Sequence, residues 1–191
     1  ALVGPVLAIL LQVAPAPKAL ASFADPIIFL FIGSFILAES MYVHGLDRRI
    51  AYTALSSRLI GRSAARLLVT FGAVSVVISM WISNTATAAM MFPIGLSIVT
   101  HLSRQPMGQA PQFRRFATTM MLITAFGASL GGMATPIGTP PNLIGIAMVR
   151  ELLGVQISFF RWMALGLPLA IGLYTVLALG FWLVGARDLR L

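Results

Sequence analysis

The 191-residue sequence has few charged residues and no cysteine. Only 9% of its residues are Asp, Glu, Lys or Arg, whereas a soluble domain carries about 25%, so most of the molecular surface cannot face water. Since 59% of the residues are hydrophobic, the composition predicts an integral membrane protein surrounded by a lipid bilayer. The absence of cysteine excludes a disulfide scaffold and every metal or redox site built on thiolates.

Two further absences narrow the class of function. The sequence has no HExxH zinc motif, and neither of its histidines, His44 and His101, lies in the polar breaks described below, so we predict that the chain is not an enzyme. The net charge of +8 comes from basic residues in short loops, with few aromatic residues among them. Membrane topology accounts for such charges better than nucleic acid does, and we expect no nucleic acid partner.

Uncharged segments of the chain define its predicted topology. They span residues 1–17, 26–38, 67–100, 116–149 and 162–186. A single crossing needs roughly 20 apolar residues, so segment 67–100 is too long for one crossing and too short for two. Arginine-rich loops flank it on both sides, and the positive-inside rule puts both loops in the cytoplasm. We therefore predict a re-entrant hairpin over about 67–100, with its tip at Ser83-Asn84-Thr85.

A second break is predicted in the stretch GGMATPIGTPPNLIG, residues 131–145. Its prolines remove backbone donors and prevent a continuous helix, although the hydrophobic sequence continues on both sides. We predict a broken helix over about 116–149, with Thr139 as N-cap and Pro140 as the first residue of its second half. Asn84 or Thr85 is expected to cap the second arm of the hairpin.

Helix ends that meet inside a membrane can bind ions. The carbonyl ends near Ile82 and Thr135 suit a small cation, and the amide ends near Thr85 and Pro140 suit an anion. Half-helices of this kind hold substrate and coupling ion in secondary transporters. Because neither break contains a charged side chain, an anion bound here needs a co-bound cation.

Other polar and small residues are expected to have structural roles. Hydroxyl side chains within membrane helices commonly bond the carbonyl four residues earlier, and we assign that role to Ser75, Thr87, Thr118, Thr119 and Thr124. Close helix packing is expected at Gly127, Ser129, Gly131 and Gly132. Ser79 has no preferred assignment between the structural and the ligand role, and Glu39 is expected to find an interfacial or interhelical partner.

Three stretches in order carry a family resemblance: LDRRIAYTALS, SMWISNTATAAMMFPI and ATPIGTPPNLI. Together they resemble the amino-terminal half of the divalent anion:sodium symporters, which move di- and tricarboxylates or sulfate, and the resemblance covers about residues 24–185. The sequence departs from that family in lacking the second repeat with its own SNT motif. Pro136 is a smaller departure.

The resemblance implies an all-α membrane fold in which residues 1–191 form a single transmembrane domain, one of two inverted repeats, in a homodimer. It implies a sodium site at Ser79, Ser83, Asn84 and Gly138, and substrate contacts at Asn84, Thr85, Thr139 and Pro140. The implied function is sodium-coupled transport of a divalent anion such as a dicarboxylate, citrate or sulfate, by a multi-pass protein of the cell (inner) membrane. An anion exchanger or a proton-coupled anion transporter of the same fold is the alternative.

Overall fold

The computed structural model describes residues 3–20, 23, 26–55, 63–109 and 111–183, which form nine α-helices. These are α1 (Val3–Leu10), α2 (Ala16–Leu20), α3 (Pro26–Val43), α4 (Leu46–Leu55), α5 (Ala64–Ser79), α6 (Asn84–Ser103), α7 (Phe113–Ala134), α8 (Pro140–Leu153) and α9 (Phe159–Phe181). A short 3-10 helix, Pro106–Gln109, joins α6 to α7. The predicted all-α fold is confirmed. The arginines at 58, 62, 187 and 190, which contribute to the predicted topology, lie outside the described residues.

Several helices are long and apolar enough to cross a bilayer. Among the described residues α6, α7 and α9 meet this requirement singly, and α3 and α4 form a fourth candidate as a pair bent by 63°. The bend includes Gly45, whose φ of +63° is in the left-handed region that favours glycine. Helix α5 has 16 residues and rises roughly 24 Å, which is less than a bilayer core of about 30 Å.

Helix starts follow ordinary capping chemistry. Ser63, Ser83 and Ser158 are the N-caps of α5, α6 and α9, and the hydroxyl oxygen of each accepts a hydrogen bond from an amide three residues later. Helix α8 ends at Gly154, whose φ of +66° again favours glycine. These caps explain why the helices begin and end where they do although hydrophobic sequence continues around them.

The core lies where α5, α6, α7 and α9 pack together, around the fully buried side chains of Phe71, Met91, Phe116, Met120 and Ile123. Helices α5 and α7 run parallel, since Gly127 lies against the Gly72 carbonyl and Gly131 against that of Val76. Helix α6 runs antiparallel to both. Its Asn84 is next to Gly132 near the end of α7, and its Gly95 is next to Met121.

Both predicted breaks are observed, with differences in detail. The chain leaves helix between Ser79 and Asn84, so Asn84 and Thr85 lie in the first turn of α6 and the turn itself is residues 80–83. The expected cap at Asn84 or Thr85 is wrong, because Ser83 occupies that position. The second break is residues 135–139. Thr139 is the N-cap residue of α8, as predicted, but its side chain makes no capping bond.

Candidate functional site

The end of α5, the start of α6 and the end of α7 converge at a buried polar cluster. Its centre is Ser79, which is fully buried at the last turn of α5. The Ser79 Oγ lies 2.8 Å from Asn84 Oδ1 and 2.6 Å from the carbonyl oxygen of Ala128. The cluster therefore joins two of the predicted sodium ligands, Ser79 and Asn84, and adds the carbonyl of Ala128, which sequence reasoning did not identify.

This cluster has more acceptors than protons. A serine hydroxyl has one proton, so Ser79 can donate to Asn84 Oδ1 or to Ala128 O but not to both. A small hard cation, which is bound through oxygen ligands, could satisfy the remaining oxygens. If the Asn84 amide is turned over, its NH₂ group donates to Ser79 and the cluster is satisfied without an ion. A cation and an internal hydrogen bond would thus compete for the same oxygen atoms.

Thr135 and Asn142 hold the broken helix against the hairpin. The Thr135 hydroxyl donates to the Met80 carbonyl at 2.6 Å and accepts from the Gly138 amide at 3.0 Å. The Asn142 Nδ2 donates to the carbonyls of Gly132 and Thr135 at 2.7 and 2.8 Å. Thr135 and Asn142 are both buried, and the break is consequently ordered by hydrogen bonds from its own side chains.

Sequence reasoning gave neither Thr135 nor Asn142 a side-chain role. The signal that could have found them is the one that identified Ser83-Asn84-Thr85, namely polar side chains inside an apolar segment next to a helix breaker. Their bonds also correct one expectation. Three carbonyls at the end of α7 are not orphans, because Asn142 bonds those of Gly132 and of Thr135 just after the helix, and the indole Nε1 of Trp162 donates to that of Met133 at 3.0 Å. The negative charge that α7 presents to a cation is correspondingly reduced.

Ser83 and Gly138, the other predicted sodium ligands, have separate surroundings. The Ser83 hydroxyl accepts from the Ala86 amide at 3.2 Å as the cap of α6, and the residue is exposed on the wall of a cavity of about 1250 Å³ between α6 and the pair α3–α4. Gly138 is buried and donates its amide to Thr135. Glu39 is exposed on the opposite wall of the same cavity.

The predicted substrate residues lie at the starts of α6 and α8. Asn84 and Thr139 are half-buried, whereas Thr85 and Pro140 are exposed. No side-chain hydrogen bond is formed by Thr85 or Thr139 to other described residues, so both hydroxyls are free to bind a ligand. The first turn of α8 offers few amide donors to an anion, because two prolines begin it and the Asn142 amide bonds the Thr139 carbonyl at 3.2 Å.

Glycines allow the close approach of these helices, as predicted. An ideal Cβ built on Gly131 would lie 2.1 Å from the Val76 carbonyl, and one on Gly132 would lie 2.2 Å from Asn84 Oδ1. Residues 127–131 also spell GxSxG, the pattern of a serine hydrolase elbow. Here Ser129 lies in the middle of α7 and bonds the carbonyl four residues earlier, so the strand-turn-helix context of that motif is absent from this segment.

The expected hydroxyl-to-carbonyl bonds are confirmed for Ser75, Thr118, Thr119 and Thr124, each of which donates to the carbonyl four residues earlier. The expectation is wrong for Thr87. Its hydroxyl is buried without a hydrogen-bond partner among the described residues, although its backbone amide bonds the Ser83 carbonyl at 2.9 Å.

Comparison with known proteins gives two findings. Residues 1–190 match the profile of the citrate transporter family. The sequence is also 36% identical, over 151 residues, to the sodium-dependent dicarboxylate transporter SdcS of Staphylococcus aureus strain USA300, and the alignment covers 78% of this chain and 29% of that protein. SdcS of strain COL matches with the same identity and coverage. The chain therefore spans less than a third of the length of these relatives.

Proposed function

Because the chain belongs to the citrate transporter family, we propose that it forms one half of the pathway of a secondary active transporter for a divalent anion such as a dicarboxylate. The predicted resemblance to the divalent anion:sodium symporters is confirmed by this membership and by the match to SdcS. The predicted localisation, a multi-pass integral protein of the cell membrane, is confirmed by the family and the apolar helices. The proposed coupling ion is sodium, which the name of SdcS states for that relative.

The observation that supports this function best is the oxygen cluster of Ser79, Asn84 and the Ala128 carbonyl at the junction of three helices. The oxygen atoms of this cluster are uncharged, and oxygen ligands suit a small hard cation. We propose that sodium binds to the Asn84 and Ser79 side chains and to the Ala128 carbonyl, with Ser83 and Gly138 as the remaining ligands predicted from the sequence. Thr135 connects this group to the second break, because it bonds both Met80 and Gly138.

The anion is proposed to bind beside the cation, at the starts of α6 and α8. Asn84, Thr85 and Thr139 would donate hydrogen bonds to its carboxylate, and Pro140 would lie next to it. Neither break contains Lys or Arg, so the cation supplies the positive charge that the side chains lack. Two opposite unit charges about 5 Å apart attract by roughly 3 kcal/mol at an effective dielectric constant of about 20. This attraction gives the physical reason for coupling.

A complete transport pathway needs protein on the other side of the substrate site as well. Two helix starts present about one positive unit in sum, whereas a doubly charged substrate needs about twice that. We propose that an inverted second repeat supplies the other half of the site and that the assembled transporter is a homodimer. Residues 1–191 expressed alone are expected to insert into the membrane without transporting. Sodium-driven dicarboxylate uptake by this chain alone in liposomes would contradict the need for a second repeat.

The test of the proposed function is Asn84→Ala in the transporter formed with the second repeat. The variant is expected to lose sodium-dependent uptake while it still inserts, because Asn84 is proposed to contact both ions. Gln105→Ala, at an exposed position after α6, is the matched control and should transport normally. An unchanged sodium dependence in Asn84→Ala would remove Asn84 from the site. Uptake that depends on a proton gradient or on counter-anion instead would support the exchanger or proton-coupled alternative.

A further inference from the structure

Thr87 differs from the other buried hydroxyl residues of this bundle. It is fully buried, yet within the part of the chain that the structure describes its Oγ1 has no hydrogen-bond partner. Thr124, which is also buried, bonds the carbonyl four residues earlier at 2.9 Å, and Ser75 does the same at 3.1 Å. The equivalent carbonyl for Thr87 is that of Ser83, and it bonds only the Thr87 amide among these atoms. The Thr87 hydroxyl therefore lacks the bond to its own helix that Thr124 and Ser75 make.

The register of α6 on α7 places Thr87 at the polar cluster. Asn84 lies against Gly132, and Gly95 lies against Met121. In both pairs the residue numbers have the same sum, so an antiparallel pairing of the two helices sets Thr87 level with residues 128 and 129. The Ala128 carbonyl is the acceptor of Ser79. Thr87 is also three residues after Asn84, which puts the two side chains on one helix face.

The cavity reaches a face of α6 that is adjacent to Thr87. Ser83, Ala86 and Met90 line the 1250 Å³ cavity, and Thr87 does not. Because Thr87 is fully buried and does not line the cavity, a ligand of its hydroxyl must be small and must lie inside the helix junction. A dicarboxylate is too large for such a position, whereas a single dehydrated cation is not.

We propose that Thr87 Oγ1 is a further ligand of the cation held by Ser79, Asn84 and the Ala128 carbonyl. This inference rests on the proposed sodium-coupled function. Burying a hydroxyl without a partner is unfavourable, and a bound cation removes that penalty by accepting the oxygen lone pairs. The penalty is then present only in the sodium-free protein. Thr87 thereby increases the difference in free energy between the sodium-free and sodium-bound states.

The test is Thr87→Val, which keeps the shape of the side chain and removes the hydroxyl. Thermal unfolding of the purified protein in detergent is measured while NaCl replaces choline chloride at constant ionic strength. The sodium concentration that gives half of the stabilisation should rise about tenfold in Thr87→Val. Without sodium the variant should unfold at the same temperature as the wild type or a higher one, because an unpaired buried hydroxyl is gone.

Two further variants separate ligand from structural roles. Thr87→Ser keeps the hydroxyl and should bind sodium within about threefold of the wild type. Thr124→Val removes an equally buried hydroxyl outside the cluster and should leave the sodium midpoint unchanged, while it lowers the unfolding temperature. If Thr87→Val fails to fold, comparison of Thr87→Ser with Thr87→Ala by the same titration replaces it.

The possible failures are distinguishable. A wild-type sodium midpoint in Thr87→Val, together with a sodium response that is lost in Asn84→Ala, would overturn the role of Thr87 and leave the proposed function standing. A lower unfolding temperature in Thr87→Val without sodium, at an unchanged midpoint, would show a structural role only. If sodium does not stabilise the wild type, the proposed function and this inference both fail.

Discussion

Gly132→Ala should separate folding from sodium binding. An ideal Cβ on Gly132 would lie 2.2 Å from Asn84 Oδ1 and 3.0 Å from both Asn84 Cγ and Nδ2. These distances are too short for real contacts, so one group must move. The nearest atoms belong to a terminal amide and not to backbone, so we expect the Asn84 side chain to rotate while α6 and α7 stay in place.

Rotation of the Asn84 side chain lowers the free energy of unfolding, and replacement of a helical glycine by alanine raises it. Moving Asn84 breaks its 2.8 Å contact with Ser79, and a hydrogen bond of this kind contributes about 1 kcal/mol. A displaced rotamer costs about 0.5–1.5 kcal/mol more. Replacing glycine by alanine inside a helix returns roughly 0.5–1 kcal/mol. The net loss of stability is therefore about 1 kcal/mol, which leaves the protein folded.

Gly132→Ala should weaken sodium binding more than it lowers protein stability, because Asn84 is the side chain proposed to contact both ions. We expect the sodium-dependent rise in unfolding temperature and the sodium-dependent uptake both to disappear in Gly132→Ala. Gly145→Ala in α8 is the control, since a Cβ there meets nothing within 4 Å, and it should be neutral or slightly stabilising. A wild-type sodium response in a folded Gly132→Ala protein would refute the assignment of Asn84 as a ligand.

Three other experiments test the second break, its support by Trp162 and the membrane topology. Asn142→Leu removes the bonds to the carbonyls of Gly132 and Thr135, and the Thr135 carbonyl keeps only the Gly138 amide at 3.4 Å, so the free energy of unfolding should fall by about 2–4 kcal/mol; an unchanged thermal unfolding curve would contradict this. Trp162→Phe removes one bond to α7 and should cost only about 1 kcal/mol in the same assay. Cysteines introduced separately at Tyr52 and Gln109 should react with a membrane-impermeant thiol reagent from one side, and a cysteine at Val155 from the other. Labelling of the first two from opposite sides would end the re-entrant hairpin hypothesis.

Sequence alone located both breaks because each combines polar or helix-breaking residues with a long apolar segment. Ser83, Asn84 and Thr85 are costly inside a membrane without partners, and Pro140 and Pro141 cannot continue a helix. These are local properties of the chain, so they can be identified without knowing the fold. The same reasoning correctly gave Thr139 as the residue at the N-cap position of α8.

The errors arose where the answer depends on neighbours in space. Ser83, Asn84 and Thr85 can all cap a helix, and in the folded chain Ser83 is the cap while Asn84 contacts Ser79 on α5. Thr87 has the same local sequence signal as Thr124, but it lies beside a different helix junction and makes no equivalent bond. No pattern in the sequence distinguishes them.

The depth of the hairpin tip bears on whether the hairpin is re-entrant. Helix α9 runs antiparallel to α7, with Gly166 against the Met133 carbonyl and Phe181 against Phe126. Gly166 is the eighth residue of α9, so roughly 10 Å of α9 extends beyond the level at which α7 ends. The tip is bonded to α7 at that level through Thr135.

If α9 spans the bilayer, the tip therefore stops short of the far surface, although α6 alone is long enough to cross. Helix α8, with 14 residues, begins at the same level and is long enough, at roughly 21 Å, to cover the remaining distance. This arrangement supports a re-entrant hairpin whose tip and partner break share one depth inside the membrane. Backbone breaks at that depth need a protein-lined cavity, which is the physical reason for expecting a second repeat on the open side of the site.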